Sequence, residues 1–126
     1  MLVPLLVAAG LVLAEPVAVD GDTVRDGRER YRVANLDAPE VGSHARCPAE
    51  LAAGEAARAE VADLIGRARR VEAHPTGRRD RYGRVVAYIE IDGVDLGARL
   101  IERGLARPWY GRSSDYCARP LTASGR

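Results

Sequence analysis

Two short stretches bring carboxylates and an arginine together at close spacing: Asp20-Gly-Asp-Thr23, and Arg32-Val-Ala-Asn-Leu-Asp-Ala-Pro-Glu40. They supply two carboxylates able to hold a hard cation, Asp22 and Asp37, a third able to act as a base, Glu40, and an arginine able to grip a phosphate, Arg32. A later stretch, Asp80-Arg-Tyr-Gly-Arg84, supplies a second arginine, Arg84. Carboxylates with no adjacent His or Cys suit the oxygen-preferring Ca2+ or Mg2+ rather than zinc. A bare Asp-x-Asp is weak evidence, because Asp and Gly are common turn formers. Asp37-Ala-Pro-Glu40 is more specific. Pro39 holds Ala38 extended, a geometry that can point the Ala38 carbonyl and the Asp37 side chain at a shared ion. A carboxylate beside a cation but not ligating it can take a proton from water; the bland role for Glu40 is a surface charge. Arg32 and Arg84 have the planar fork that suits phosphate. Their bland role is a surface ion pair, for instance with Asp80, worth about 0–1 kcal/mol.

The elements that must position these residues are legible in part. Asp22 follows a turn glycine, and Asp37 ends a mostly apolar run. Asp26-Gly27 is a hairpin signal between short antiparallel strands. Arg32 and Asp37 are an odd five positions apart, which puts them on opposite faces of an ideal strand, so their convergence requires a bend near Asn35. From Pro48 to Arg70, Ala53, Ala57, Val61, Leu64 or Ile65, and Ala68 recur at helical spacing. Val71 to His74 reads as a short strand and Arg84 to Ile91 as a longer one. Asp92-Gly93 turns the chain, Asp95 is a suitable N-cap, and Leu96, Leu100 and Ile101 drive a second helix that Gly104 ends. Ser, Pro and Gly make up six of the sixteen residues after Tyr110, so a poorly ordered tail, held mainly through Cys117 if it is held at all, is expected. Strands, helix, strands, helix is the order of a small Greek-key barrel of the OB type capped by a helix.

A chain of 126 residues accommodates one core. Its composition, 47% hydrophobic and 29% charged, excludes intrinsic disorder. With a formal charge of only +1, affinity for nucleic acid must come from local placement. Arg67, Arg69, Arg70, Arg78, Arg79, Arg81 and Arg84, set against Glu72 and Asp80, provide it, although such runs are more often solvated faces. Residues 1–14 are uninterruptedly apolar and end in Val12-Leu13-Ala14 before Glu15-Pro16, which reads as a signal peptide, too short for a spanning helix. No Lys or Arg precedes the run, and the rival reading makes Leu11 to Val19 the first strand. Cys47 and Cys117 are an even pair in a chain read as exported. Whether they meet is open; a bond between them would contribute roughly 4 kcal/mol in the chain-entropy account.

The combination Val19-Asp-Gly-Asp-Thr-Val24, Arg32 through Asp37-Ala-Pro-Glu40, Asp80-Arg-Tyr-Gly-Arg84 with Ala87-Tyr88, and Asp92-Gly93 leading to Gly104-Leu-Ala106 resembles the thermonuclease (staphylococcal nuclease-like) family from Val17 to Tyr110. The resemblance implies an α+β fold, mainly β with helices: a five-stranded OB-type Greek-key barrel with two helices. It implies Asp22, Asp37 and the Ala38 carbonyl as Ca2+ ligands, Glu40 as the group that activates water, Arg32 and Arg84 on the scissile phosphate, and Tyr82 and Tyr110 lining the nucleotide pocket. The activity implied is Ca2+-dependent endonucleolytic hydrolysis of DNA and RNA that leaves 3′-phosphate ends. The resulting division is a signal peptide over 1–14, the nuclease-like domain over 15–110 and a tail over 111–126 that a Cys47–Cys117 disulfide would tether. A secreted or periplasmic monomer without a membrane anchor is expected. The chain departs from the family in its shorter hairpin between Thr23 and Arg32 and in having no counterpart to a last helix. The alternative is a catalytically silent OB-fold module that binds nucleic acid; the presence of Glu40 and both arginines weighs against it. A structural calcium-binding domain would leave those arginines unexplained.

Overall fold

A computed structural model describes residues 10–122. The chain runs β1 (Leu11–Val12), β2 (Pro16–Asp20), β3 (Thr23–Asp26), β4 (Glu29–Val33), β5 (Leu36–Asp37), a 3₁₀ turn (Gly42–His44), α1 (Pro48–Arg67), β6 (Val71–Arg79), β7 (Val85–Ile91), β8 (Val94–Asp95), α2 (Leu96–Glu102) and β9 (Arg107–Pro108). One curled mixed sheet has the order β1-β6-β7-β4-β3-β2, with β8 added to β7, and β5 pairs with β9 in a small second sheet. This is the OB-type α+β fold, drawn as a half-barrel in which the expected strands are joined by short additional ones. Among the described residues no helix is long and apolar enough to cross a membrane.

Local chemistry accounts for the main elements. Asp26-Gly27 makes the β3–β4 hairpin, with Gly27 at φ 61 and Asp26 opposite Glu29. Pro48 opens α1 in the first turn, where its missing N–H costs nothing. The Cys47 side chain accepts from the Glu50 N–H at 3.4 Å as N-cap. Asp95 caps α2 by accepting from the Ala98 N–H at 2.8 Å. Val24, Val33, Leu36, Val61, Ala73, Ala87, Ile89 and Leu100 are fully enclosed between the sheet and the two helices.

Two expectations change, and a third segment is described only in part. β6 runs on to Arg79 rather than ending at His74, because it pairs with β7 along its length across an irregularity between Pro75 and Arg79. Within residues 111–122 the chain packs rather than staying poorly ordered: Tyr116 is 1% exposed, and Cys117 is bonded to Cys47, the tether offered for the tail, with their Cα atoms 6.0 Å apart. Leu11 pairs with Ala73 and Val12 with Glu72, and Leu13 is buried in the core; the single strand over Leu11 to Val19 of the rival reading is divided into β1 and β2. Cleavage after Ala14 would remove these residues from the fold. The rest of the apolar leader, residues 1–9, lies outside the described residues.

The pairing that matters most for the site is parallel. β4 lies beside β7 with Arg32 opposite Val86, while Thr23 faces Arg32 from the other side in β3. The beginning of β7, the end of β4 and the beginning of β3 therefore share one end of the sheet.

Candidate active site

The β2–β3 turn delivers Asp22 to that end of the sheet, with 6% of its surface exposed. Its Oδ2 accepts the Ala38 N–H at 3.0 Å and its Oδ1 accepts the Thr23 hydroxyl at 3.4 Å. Gly21 makes this approach possible: a Cβ there would lie 2.6 Å from the Ala38 Cβ and 2.9 Å from that of Ala57.

The bend near Asn35 is present. After Val33 the chain leaves β4; the Asn35 side chain donates to Asp95 at 2.9 Å, its carbonyl accepts from the Trp109 N–H at 3.2 Å, and β5 then carries Asp37 back. The Arg32 side chain spans the bend. It donates to the carbonyl of Leu36 at 2.6 Å and to that of Val33, while its other terminal nitrogen lies 3.9 Å from Asp22 Oδ2. The bend thus brings Asp37 close enough to Arg32 for the guanidinium charge to act on its carboxylate.

Arg84 enters from the β6–β7 turn. Asp80 accepts from its Nε at 2.7 Å, and the Thr23 hydroxyl accepts from its NH1 at 2.9 Å. Asp80 also accepts the Tyr82 and Arg84 backbone N–H groups at 2.9 Å. Burial alone would raise the Asp80 carboxyl, but these hydrogen bonds and the Arg84 charge outweigh it and hold it below the usual carboxylate range. The bland pairing of Arg84 with Asp80 therefore exists, and it fixes the guanidinium inside the cleft rather than on open surface. The Arg84 guanidinium lies 5.4 Å from the Tyr82 ring centre, and Arg32 lies 5.2 Å from that of Trp109.

The cleft has two adjoining compartments of about 560 and 330 Å³ that share Glu40, Tyr82, Arg84 and Ser113. Asp22, Arg32 and Trp109 line the smaller; Asp20, Ala38 and Glu50 line the larger. Tyr82 lines both compartments. Tyr110 does not: it is 79% exposed and lines neither compartment, and its neighbour Trp109 takes the inward position. A shift of one residue beside a strand exchanges faces, so an aromatic pair at 109–110 is the signal that locates this position only to within one residue.

Glu40 stands on a loop held by a residue that periodicity does not single out. Glu50, 1% exposed, accepts the Glu40 N–H at 3.3 Å and the Arg46 N–H at 2.9 Å. Its one sequence signal is a Glu in the first turn of a helix. Gly54, one turn later, lies directly under the Glu40 carbonyl.

Carboxylates dominate the floor of the cleft. Burial raises Asp20 to about 8, and the charge on Asp22 adds to the effect. Burial likewise raises Glu40 and Asp37, with Asp22 again adding to it, although the Ser114 N–H opposes the shift at Asp37. An all-oxygen set crowded with partly desolvated carboxyls fits a hard cation, whose charge would relieve that crowding. A second group, Glu72, His74 and Glu90, has ligating atoms within 4.8 Å of one another. It lies on the outer face of β6 and β7, where His74 Nε2 is 2.5 Å from Glu90 and Arg70 is 2.7 Å from Glu72, a polar network across the strands.

Fold and cleft together define a nuclease-type OB domain. The sequence matches the staphylococcal nuclease homologue family over residues 30–120, and the chain belongs to that family. It is 32% identical over 98 residues to Endonuclease YncB of Bacillus subtilis (strain 168), covering 74% of this chain and 46% of that protein. It is 34% identical over 98 residues to the SPbeta prophage-derived endonuclease YokF of the same organism, covering 74% and 32% respectively. The chain thus spans less than half the length of these relatives.

Proposed function

We propose that this protein is a Ca2+-dependent endonuclease that hydrolyses DNA and RNA and leaves 3′-phosphate ends. One observation carries the reading: Asp22, Arg32, Glu40 and Arg84 line a single compartment, with Asp37 tied in through the Ala38 N–H on Asp22. Membership of a family with relatives named as endonucleases supports it.

Asp80 and Thr23 fix the plane of Arg84 and leave its NH2 edge for a phosphate oxygen. Arg32, braced by the Leu36 carbonyl and stacked near Trp109, offers a second donor from the neighbouring strand. Two guanidinium groups on one phosphate favour the charge that develops as the bond to the leaving oxygen lengthens. Glu40, its carboxyl raised by burial, is a better proton acceptor than an ordinary glutamate and takes the proton of the attacking water. Ca2+, held by Asp22, Asp37 and the Ala38 carbonyl, would supply positive charge beside the phosphate and the water when bound. Tyr82 and Trp109 offer ring faces to the flanking bases. We further propose that the chain acts outside the cytoplasm, as a secreted or periplasmic protein, a reading supported by the Cys47–Cys117 bond.

The test is cleavage of single-stranded DNA and of RNA with calcium, then with excess chelator. Glu40→Gln should lower turnover by roughly 10²–10⁴ while substrate binding survives. Cleavage that persists in chelator would remove the cation from the mechanism. Binding without cleavage in saturating calcium would establish the silent OB module instead.

A further inference from the structure

Asp37 is gripped from outside the motifs that carry the chemistry. The Ser114 N–H donates to its Oδ2 at 2.6 Å, and the Tyr116 hydroxyl donates to its carbonyl. Tyr116 also accepts from the Arg107 N–H at 3.0 Å, and the Arg107 guanidinium lies 4.6 Å from its ring centre. The next residue, Cys117, is bonded to Cys47 at the head of α1. Arg46, beside Cys47, donates to the Ser114 carbonyl at 3.3 Å and, through its N–H, to the Glu50 carboxylate that also holds the Glu40 loop. One covalent bond therefore closes a ring of contacts around Asp37 and Glu40.

We propose that residues 113–117 are a positioning strap for the cation site and that the Cys47–Cys117 disulfide is its fastener, so that affinity for Ca2+ depends on the redox state of that bond. This rests on the assignment of Asp37 as a calcium ligand. The segment between β9 and residue 122 has no helix or strand of its own, so a few hydrogen bonds and one buried ring must offset the entropy of ordering it. The disulfide removes most of that entropy by keeping Cys117 beside α1. A dithiol reductant would pass two electrons and two protons to the S–S bond, leaving two thiols here and a disulfide on the reductant. Ser114 and Tyr116 would then leave Asp37 free to change orientation, while the motifs themselves remain intact.

Calorimetric titration of Ca2+ without substrate tests this on four forms: oxidised protein, dithiol-reduced protein, Cys47→Ser/Cys117→Ser, and Tyr116→Phe. Serine at position 47 keeps a helix cap. Loss of partners that orient a ligand typically weakens metal binding by roughly 10–100-fold, and each of the last three forms should show a weakening on that scale. Amide exchange, which needs neither metal nor substrate, should show Ser114 losing protection on reduction while β4 and β7 keep theirs. Equal calcium affinity in oxidised and reduced protein would overturn the proposal alone. Loss of protection throughout β4 and β7 would overturn it too, since the bond would then be holding the whole fold. An oxidised protein that takes up no calcium would overturn the functional reading and this proposal with it.

Discussion

Replacing Gly54 by alanine opposes two effects of known size. Gly54 lies inside α1, where alanine is favoured over glycine by about 1 kcal/mol. A Cβ at this position, however, would stand 2.1 Å from the Glu40 carbonyl oxygen, 2.7 Å from its carbon and 3.0 Å from the Pro39 carbonyl oxygen. All three are backbone atoms, so no side chain can swing aside. Real contacts of this kind do not fall below 3.0 Å, so helix and loop must part by about 0.9 Å. Overpacking of this sort costs about 1–3 kcal/mol, which exceeds or cancels the helical gain and leaves a net loss of about 0–2 kcal/mol. At roughly 4 °C per kcal/mol for a domain of this size, the midpoint should stay level or drop by up to about 8 °C. Activity should suffer more than stability. The parted loop carries the proposed base, and a misplacement of about 1 Å costs on the order of 10²-fold in rate. Gly66→Ala is the control: it lies in the same helix, and a Cβ there would meet nothing within 4 Å, so it should hold or raise the midpoint and leave turnover alone. Single-turnover cleavage in saturating calcium, beside thermal melts, reads both quantities. A Gly54→Ala protein with a higher midpoint and unchanged turnover would refute the argument that α1 sets the position of Glu40.

Arg32→Lys and Arg84→Lys keep the charge but lose the planar fork, and each should lower kcat by on the order of 10²–10³. Arg79, bonded to Glu29 at 2.8 Å and outside both compartments, should tolerate lysine with little change beyond salt-dependent binding; equal losses in all three variants would reduce the arginines to a diffuse attractor. Intact mass of exported material should show no alkylatable thiol and a start near Glu15. A start upstream of Leu11 would place β1 in the working protein, and retention of Met1 would overturn the signal-peptide reading.

What the chain determines by itself is whatever depends on neighbours a few residues away. Asp26-Gly27 makes its hairpin, Asp95 caps α2, the apolar spacing from Ala57 to Val61 sets the buried stripe of α1, and Asp37-Ala-Pro-Glu40 carries part of the family resemblance. Even the odd separation of Arg32 and Asp37 foretells a bend. These signals survive because turns, caps and helical periodicity are decided by local backbone sterics and hydrogen bonds. Only the tertiary structure decides which distant segments meet. The parallel pairing of β4 with β7 sets Arg32 beside Arg84, which immediately precedes β7, and it leaves no mark on either strand's own pattern. Buried Glu50 reads as one more polar helix residue until the loop bearing Glu40 folds over it. Tyr110 and Trp109 are equivalent in type, and the geometry after β9 alone turns one outward and the other in. The Ser- and Gly-rich composition after Tyr110 signals weak intrinsic order. A disulfide and a single tyrosine, 70 and 79 residues from their partners along the chain, override it, because a covalent tether and a buried ring offset entropy that local propensity could not.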